Sequence, residues 1–448
     1  MVKDVDFIIR YEHKVRELES IMLIKIELEK RGYSVALVCN YELEDKIEYK
    51  PRVLVVPALY NTDQLKVDWE RYGVIKKIAN LQWEQLIGVK EEDDVNGFHN
   101  VKGIGQRAVN FCWGEKSHNR IIKGGVKPDR APIVGYINTD LLRGGFKQQL
   151  YSKECLAKKY NIDSCKKWLF FISSFAYCEM EEFQVELCKK TRGEKGFFEF
   201  TDISYKSRDV ILDWFEIVLK SNSNIIIIYR PHPDESEKCV RLKQMSLKYP
   251  NFKVIFSEAL KHWINASDKI YNWYSTGIVD AIVQNKSYRM LRPVYIPEYL
   301  DYRLMNKANS LESEKDFFDD LEDQTVKEVL PLSVFSSYYY IPEDFIYIHI
   351  CNQLEEMLKN DFFDVKYSFK EKLFAYKCFY SKRVLAPIKK CLKSLPSSML
   401  PNSLKQRIER GDRYRDVISK GYNKNVATEK EITDLYNRLK PIVYGEQV

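Results

Sequence analysis

The sequence predicts an α/β fold, with two parallel-sheet domains that face a cleft and a basic helical segment after them. Short apolar runs alternate with helical stretches, and this alternation stops near Gly144 and restarts near Trp168. Strands that alternate with helices form parallel sheets covered on both faces, as in Rossmann-like domains. The chain has 448 residues, too many for one ordinary core. We therefore predict Rossmann-like domains over residues 1–145 and 159–345, and a helical segment over residues 346–448.

The elements of both domains are predicted from apolar runs and from helical spacing of apolar residues. Predicted strands are residues 5–9, 35–38, 52–57, 75–81, 109–113 and 133–135, then 168–172, 224–229, 253–256, 269–272 and 288–291. Predicted helices include residues 17–30, 207–221, 260–266 and 276–284. Ligands of open parallel sheets bind beyond the carboxyl ends of the strands, so the loops that follow strands are the place to seek chemistry.

Composition limits the class of protein. The first twenty residues carry charges throughout, without the apolar stretch of a signal peptide, and no apolar run approaches the roughly 18 residues of a membrane span. The ten cysteines are scattered without a Cys-x-x-Cys pair, which favours buried free thiols over zinc or redox chemistry. We therefore expect a cytoplasmic protein.

The positive charge is concentrated in one segment. Residues 366–415 hold fourteen basic and three acidic residues, a local net charge of +11, so the rest of the chain carries −4 of the overall +7. Lysines there alternate with aliphatic and aromatic residues, which predicts binding to an anionic membrane surface, peripheral on the inner face of the cell membrane. A helix packed on the domains with solvated lysines is the alternative. Nucleic acid is not an expected partner, because the charge is local and no nucleic-acid motif occurs.

The sharpest local motif follows the most hydrophobic predicted strand. It reads Tyr-Arg-Pro-His-Pro-Asp-Glu over residues 229–235. The two prolines stiffen the loop around His232, and Arg230 and His232 carry donors that suit a phosphate group. A structural turn with a solvated histidine is the alternative.

Two further loops hold small hydroxyl residues after predicted strands. Ser275 and Thr276 precede a predicted helix, whose first amides and dipole favour an anion, although ordinary capping explains the hydroxyls equally well. Ser173 and Ser174 follow the strand at residues 168–172 and face either donor phosphates or the acceptor.

Several motifs carry a resemblance to a known group of bacterial proteins. They are the Arg-x-His-Pro stretch at residues 230–233, the turn at 275–276, the opening at 12–20 with 28–35, and residues 81–85 with 113–114. Over about residues 5–300 the chain resembles two-domain (GT-B-like) transferases and surface carbohydrate biosynthesis proteins, including teichoic-acid glycerophosphotransferases, sialyltransferases and Kdo transferases. Residues 134–140 depart from the Gly-Asn-Pro-Arg-Phe-Asp-like stretch of such proteins.

The resemblance implies a glycosyltransferase that moves a sugar from a nucleotide-activated donor, with a CMP-linked donor favoured. The acceptor would be a surface polysaccharide, such as capsule or lipopolysaccharide, or a glycolipid. Arg230 and His232 would bind the donor phosphate, with Ser275 and Thr276 assisting, in the second domain. A sugar-nucleotide epimerase, a polyol-phosphate transferase with a CDP-linked donor, and a non-catalytic scaffold subunit of polysaccharide assembly are the alternatives.

An inverting transferase needs a base for its acceptor hydroxyl. Glu84, after the strand at residues 75–81, is the first candidate and Glu12 the second, while Arg16 and Gln85 are candidates for acceptor binding. His99 and His118 have no visible partner in the sequence. No metal or other cofactor is expected, since the one Asp-x-Asp pair, Asp4 and Asp6, precedes its strand instead of following it.

Overall fold

The structure is a computed structural model that describes residues 3–42, 49–232, 235, 239–323, 330–393 and 425–445. The chain divides into two compact units. Unit 1 comprises Met1–Gln85, Asp94–Asp140 and Tyr339–Val448, and unit 2 comprises Leu86–Asp93 and Leu141–Tyr338.

Unit 1 is built on a five-stranded parallel sheet of order β2-β1-β3-β4-β5. The strands are β1 (Lys3–Tyr11), β2 (Val35–Cys39), β3 (Tyr49–Val56), β4 (Lys77–Asn80) and β5 (Val109–Asn110). Its helices are α1 (Lys14–Lys30), α2 (Lys66–Tyr72), α4 (Glu115–Lys123), α14 (Ile346–Lys359), α15 (Phe369–Lys393) and α16 (Glu429–Tyr444). The inner strand β1 buries Phe7, Ile8 and Ile9 completely, as expected for a sheet covered on both faces.

The C-terminal helices belong to unit 1 and do not form a segment of their own. Ala375 and Cys378 of α15 join the hydrophobic core formed by residues such as Trp69 and Ile78. Helices α14 and α16 pack against α1. The predicted range 346–448 therefore differs from the observed division, because these helices cover a sheet that the first residues of the chain form.

Unit 2 is built on a six-stranded parallel sheet of order β11-β10-β9-β6-β7-β8. The strands are β6 (Lys167–Ile172), β7 (Ile225–Arg230), β8 (Phe252–Val254), β9 (Lys269–Asn272), β10 (Tyr288–Leu291) and β11 (Ser310–Leu311). Its helices are α3 (Val89–Asp93), α5 (Lys153–Tyr160), α6 (Glu182–Arg192), α7 (Glu194–Ser221), α8 (Val240–Lys248), α9 (Leu260–Ala266), α10 (Ile278–Val283), α11 (Arg303–Asn306), α12 (Glu314–Glu322) and α13 (Leu332–Tyr338).

The predicted α/β class with parallel sheets is confirmed. One predicted strand, at residues 133–135, is reduced to a single parallel bridge between Cys112 and Ile133. The ladder does not extend because Pro132 has no N–H to donate and Gly135 adopts a φ of +102°. Among the helices that the structure describes, none is long and apolar enough to cross a membrane.

Candidate functional sites

The register of unit 2 brings three predicted loops to one edge of its sheet. Ile172 at the end of β6 pairs with Arg230 of β7 on one side and with Asn272 of β9 on the other. The loops that begin at Ser173, Pro231 and Trp273 therefore leave the carboxyl edge side by side. These loops contain Ser173, Ser174, His232, Ser275 and Thr276, and Arg230 ends the strand before one of them.

A buried carboxylate fixes the turn after β7. Glu235 accepts a hydrogen bond from the hydroxyl of Tyr229 at 2.7 Å, one from the hydroxyl of Ser173, and one from the backbone N–H of His232 at 3.1 Å. The three side chains of Glu235, Tyr229 and Ser173 are buried, and burial raises the pKa of Glu235. The hydroxyl of Ser173 thus helps to hold this turn. Glu235 therefore positions the backbone of His232.

Arg230 is engaged in a similar way. Its Nη1 donates to the carbonyl oxygens of Ile255 at 3.2 Å and Ser257 at 2.6 Å, and its Nη2 donates to Glu258 O at 2.8 Å. Burial lowers the pKa of this guanidinium. The sequence predicted that Arg230 offers its donors to a phosphate, but three of them hold the loop after β8.

The turn between β9 and α10 is shaped by Asn272. Its Oδ1 accepts the backbone N–H of Ser275 at 2.8 Å, and its Nδ2 donates to the carbonyl of Ser275 at 2.9 Å. The hydroxyl of Ser275 accepts the N–H of Gly277 at 3.1 Å, so part of its hydrogen-bonding capacity is used within the turn. Thr276 is exposed, His232 is partly exposed, and Ser174 is buried.

Asp280 is a further candidate binding residue at this edge of the sheet, and it was not predicted from the sequence. It lies in the first turn of α10, one turn after Thr276, and it is partly buried. Burial raises its pKa to about 6, and the charge of Lys261 only partly opposes this. A carboxylate within the otherwise apolar stretch Ile-Val-Asp-Ala-Ile-Val was the available signal in the sequence.

In unit 1, a charged cluster forms around Glu84, four residues beyond the end of β4. Nε2 of His99 lies 3.0 Å from Glu84 Oε2, and Nη1 of Arg16 donates to Glu84 Oε1 at 3.3 Å. The hydrogen bond from His99 and the charge of Arg16 lower the pKa of Glu84 to about 2. The carboxylate is therefore ionised at neutral pH and is a weak base by itself.

Two more carboxylates lie where β1 leads into α1: Glu12 follows β1 directly, and Glu17 is in the first turn of α1. Glu17 is fully buried, accepts the backbone N–H of Glu12 at 2.7 Å and pairs with Arg16 at 2.9 Å. Burial raises the pKa of Glu17 although Arg16 opposes the shift. The carboxylate of Glu12 is partly buried and lies 3.4 Å from the hydroxyl of Tyr41. Arg16 is thus shared between Glu17 and Glu84.

Gln85 has a structural role. Its side chain is buried, its Nε2 donates to Phe111 O at 2.7 Å, and its Oε1 accepts the N–H of Trp113 at 2.8 Å. These bonds tie the turn after β4 to the segment after β5. The sequence predicts that Gln85 binds an acceptor; in the structure, its amide forms hydrogen bonds with the backbone of Phe111 and Trp113.

The segment at residues 134–140 is tied to unit 1. The side-chain amide of Asn138 donates to Arg16 O at 3.3 Å and to the hydroxyl of Tyr136 at 2.7 Å. The carboxylate of Asp140 accepts the N–H groups of Ile346 at 3.0 Å and Tyr347 at 2.8 Å, at the start of α14. Residues 134–140 differ from the Gly-Asn-Pro-Arg-Phe-Asp-like stretch of the proteins that the sequence resembles. In the structure, they support the backbone of Arg16 and the start of α14.

Several solved structures have a fold similar to that of this chain. A histidine-to-alanine variant of the wall teichoic acid polymerase TagF is similar at a TM-score of 0.51 and 10% identity, over 80% of this chain and 90% of that one. A histidine-to-asparagine variant of TagF gives a TM-score of 0.50 and 11% identity over the same shares. The UDP co-structure of MnaA from S. aureus gives 0.48 and 12% identity, over 80% of this chain and 97% of that one.

At these identities, the TagF comparisons show a shared fold. No family model matches the chain, and no curated protein sequence is similar to it. Within the described ranges, no group of three or more His, Cys, Asp or Glu side chains has the arrangement of a metal site.

Proposed function

We propose that the protein is a GT-B-like glycosyltransferase. It would move a sugar from a nucleotide-activated donor, with a CMP-linked donor favoured, to a surface polysaccharide or glycolipid acceptor. The observation that carries the proposal is the carboxyl edge of the unit 2 sheet, where the Glu235-anchored turn of His232 follows β7 and the Ser275–Thr276 turn follows β9. Ligands of parallel sheets bind at this edge. The fold shared with TagF supports the enzyme class.

Donor binding in unit 2 is assigned to the side chains that the fold leaves accessible. The partly exposed imidazole of His232 would donate to a donor phosphate oxygen, and the exposed Thr276 would assist with Ser275. The carboxylate of Asp280 would accept hydrogen bonds from hydroxyl groups of the nucleotide. Arg230 and Ser173 act indirectly in this scheme, since their donors hold the loops that carry the binding residues.

Activation of the acceptor is assigned to the Glu84–His99 pair of unit 1. With a pKa of about 2, Glu84 alone would bind a proton weakly. We propose that the imidazole of His99 takes the proton of the acceptor hydroxyl while Glu84 stabilises the imidazolium, as a carboxylate does in a catalytic triad. Arg16 orients Glu84 and binds the acceptor, and Glu12 is the second candidate for the base. The proposal includes no metal or other cofactor, because cationic and dipolar groups can stabilise the leaving phosphate.

A polyol-phosphate transferase with a CDP-linked donor is the second candidate. The fold shared with TagF, a wall teichoic acid polymerase, favours it. The two reactions differ in the bond that breaks. A sugar transfer breaks the bond at the anomeric carbon and releases CMP from a CMP-linked donor, whereas a polyol-phosphate transfer breaks the phosphoanhydride and also releases CMP. Mass analysis of the product, with or without the added phosphate, therefore separates them.

The test begins with a thermal-shift screen of the full chain against CMP, CDP, UDP and GDP. A ligand that binds only the native state stabilises it by about 2.7 kcal/mol at a hundredfold excess over Kd. We expect the largest shift with CMP or CDP, and we expect His232→Ala to remove it without changing the unliganded melting temperature. The matched control is His118→Ala in unit 1. Absence of any shift with all four nucleotides would refute the donor site.

We also propose that residues 366–415 bind the protein peripherally to the inner face of an anionic membrane. Helix α15 packs Ala375 and Cys378 into the core of unit 1, while Phe369, Leu373 and Tyr380 are 81%, 60% and 59% exposed. Tyr376 and Val384 are also exposed, so large apolar residues recur at helical spacing along one face. An exposed apolar face bordered by lysines suits the lipid interface. Residues 394–415 of this segment lie outside the described residues.

A further inference from the structure

Phe98 is a large apolar side chain at the carboxyl edge of the unit 1 sheet that is 61% exposed. Its ring centroid lies 5.4 Å from that of Tyr60 and 5.0 Å from that of His99. Tyr60 is buried and also contacts His99 edge to face at 5.1 Å. The ring of Phe98 therefore rests on a buried tyrosine and borders the histidine that pairs with Glu84.

The loop that carries Phe98 is fastened on both sides of it. Before it, the N–H of Gly97 donates to Asp94 O at 2.8 Å. After it, the side-chain amide of Gln82 donates to His99 O at 2.9 Å, and the N–H of Lys102 donates to Tyr60 O at 2.8 Å. Gln82 itself holds a left-handed φ of 46° just after β4, which brings its amide to this loop. The exposure of Phe98 is thus a property of an anchored loop.

A single exposed apolar residue is ordinary and needs no explanation. The surroundings of Phe98 distinguish it. Glu84 pairs with His99 and also with Arg16, whose Nη1 lies 3.3 Å from Glu84 Oε1. The side chain of Glu84 is 48% exposed and that of Arg16 is 36% exposed. The ring of Phe98 therefore borders His99, whose imidazole lies next to a carboxylate that is paired with a guanidinium. Both of these planar groups form hydrogen bonds with hydroxyls.

These groups match the two kinds of surface on a pyranose ring. One face of such a ring is formed by C–H bonds and packs on an aromatic ring, whereas its hydroxyls radiate from the edge and need acceptors and donors. Aromatic side chains provide rigid contact area at low entropic cost. We propose that Phe98 is the stacking platform for a pyranose ring of the acceptor, with Arg16 and Glu84 binding its hydroxyls. The assignment of this pyranose to the acceptor rests on the proposed transferase function.

The experiment is saturation-transfer NMR on the full chain with methyl glycosides of glucose, galactose and N-acetylglucosamine as probes. The variants are Phe98→Ala, Phe98→Trp, which keeps an aromatic face, and Phe198→Ala, a matched control whose phenylalanine is 53% exposed on α7 in unit 2. We expect saturation of the pyranose C–H protons in the wild-type protein, in Phe98→Trp and in Phe198→Ala. In Phe98→Ala we expect affinity to fall about tenfold or more, with an unchanged thermal shift by CMP.

The outcomes separate this inference from the transferase proposal. If CMP stabilises the wild-type protein but no glycoside is saturated, or if Phe98→Ala binds the glycosides as the wild type does, the platform is refuted while the donor site stands. If Phe98→Ala loses the CMP shift instead, the ring contacts the nucleotide and the pyranose assignment is overturned. If glycoside binding depends on Phe98 but no nucleotide binds, the platform stands and the transferase proposal fails.

Discussion

Nε2 of His99 and a carboxylate oxygen of Glu84 lie 3.0 Å apart, although the residues are separated by fifteen positions in the chain. The other oxygen of Glu84 accepts from Arg16. This arrangement keeps Glu84 ionised at neutral pH, next to the imidazole of His99. Glu84, the first candidate base predicted from the sequence, is thus hydrogen-bonded to a second titratable side chain, and its role in catalysis stays a prediction.

Replacement of Glu84 by glutamine should slow transfer far more than it weakens nucleotide binding. The amide keeps the shape of the side chain but no longer stabilises an imidazolium, so we expect kcat to fall by about 10²- to 10⁴-fold, the usual contribution of acid–base catalysis. Steady-state transfer and CMP titration of the same preparation measure the two quantities. Asp63→Asn, at an exposed position in the same unit, is the control. An equal loss of turnover and nucleotide affinity would indicate a structural carboxylate.

The same carboxylate should affect stability at acid pH. Its folded pKa of about 2 lies below the ordinary value of 4.5, so its contribution to stability is present above pH 4.5 and is lost as the pH falls toward 2. The side chain is 48% exposed, so solvent screening keeps the effect small. Melting temperatures of the wild type and Glu84→Gln should differ most near pH 6 and converge below pH 4. A constant difference across this range would contradict the assigned pKa shift.

Glu235 should show the opposite sign. Burial raises its pKa above the ordinary 4.5, so the folded state binds the proton more tightly than the unfolded state does. Its stability contribution is therefore complete below pH 4.5 and declines as the pH rises through the folded pKa. Relative to Glu235→Gln, the wild type should lose melting temperature between pH 4.5 and neutrality. Glu181→Gln, an exposed control in unit 2, should follow the wild type. If the melting temperatures of the wild type and Glu235→Gln changed in parallel with pH, the raised pKa of Glu235 would be contradicted.

The strands were predictable because their signal is local. Ten of the eleven strands in the described residues overlap a predicted apolar run, such as residues 168–172 or 224–229, since a parallel sheet buries both faces of each strand. The exception is β11, which has only two residues. Helix α7 was predicted only from Ser207, although it begins at Glu194. Its first half contains Gly196 and several aromatic and β-branched residues, which have low intrinsic helix propensity.

The sites were less predictable because their contacts are distant in sequence. Ser173 meets Glu235 across 62 positions, and the guanidinium of Arg230 meets carbonyls more than twenty residues away. The motifs of unit 2 lie in neighbouring loops, because strand order alone brings loop residues to one edge of the sheet. The motifs did not reveal which side chains support the loops themselves, because hydrogen bonds to backbone carbonyls produce no pattern in a sequence.

A variant of Arg230 tests directly whether its guanidinium supports a loop or binds a phosphate. Lysine keeps the charge but lacks the planar fork that reaches three carbonyls at once, and each hydrogen bond that is lost contributes about 0.5–1.5 kcal/mol. We expect Arg230→Lys to lower the melting temperature while it leaves CMP affinity nearly unchanged. The matched control, Arg241→Lys, alters a guanidinium that pairs with Asp213 at a more exposed site and should have a smaller effect. If Arg230→Lys lost CMP binding at an unchanged melting temperature, the phosphate role predicted from the sequence would be restored.

Helix α15 gives the last prediction, which concerns the membrane. Removal of residues from Lys366 onward would delete Ala375 and Cys378 from the core of unit 1, so truncation would unfold the protein and imitate a binding defect. Charge reversal of Lys389, Lys390 and Lys393 to glutamate leaves those core contacts unchanged. Each basic residue near an anionic surface contributes about 1 kcal/mol, so the triple variant should lose most of its binding to phosphatidylserine vesicles.

The control is the same charge reversal at Lys206, Lys220 and Lys248 of unit 2, whose side chains are about 60% exposed. It changes the net charge by the same amount as the α15 variant does. A second variant, Leu373→Ser with Tyr380→Ser, removes apolar area from the exposed face of α15 without changing charge. Vesicle binding of the wild type should weaken with salt, because the Debye length falls from about 10 Å at 0.1 M to about 3 Å at 1 M. The Leu373→Ser, Tyr380→Ser variant should bind less tightly at both salt concentrations, because its deficit is hydrophobic. If both α15 variants bound vesicles as the unit 2 control does, the exposed face of α15 would be an ordinary solvated surface and the proposed membrane binding would be refuted.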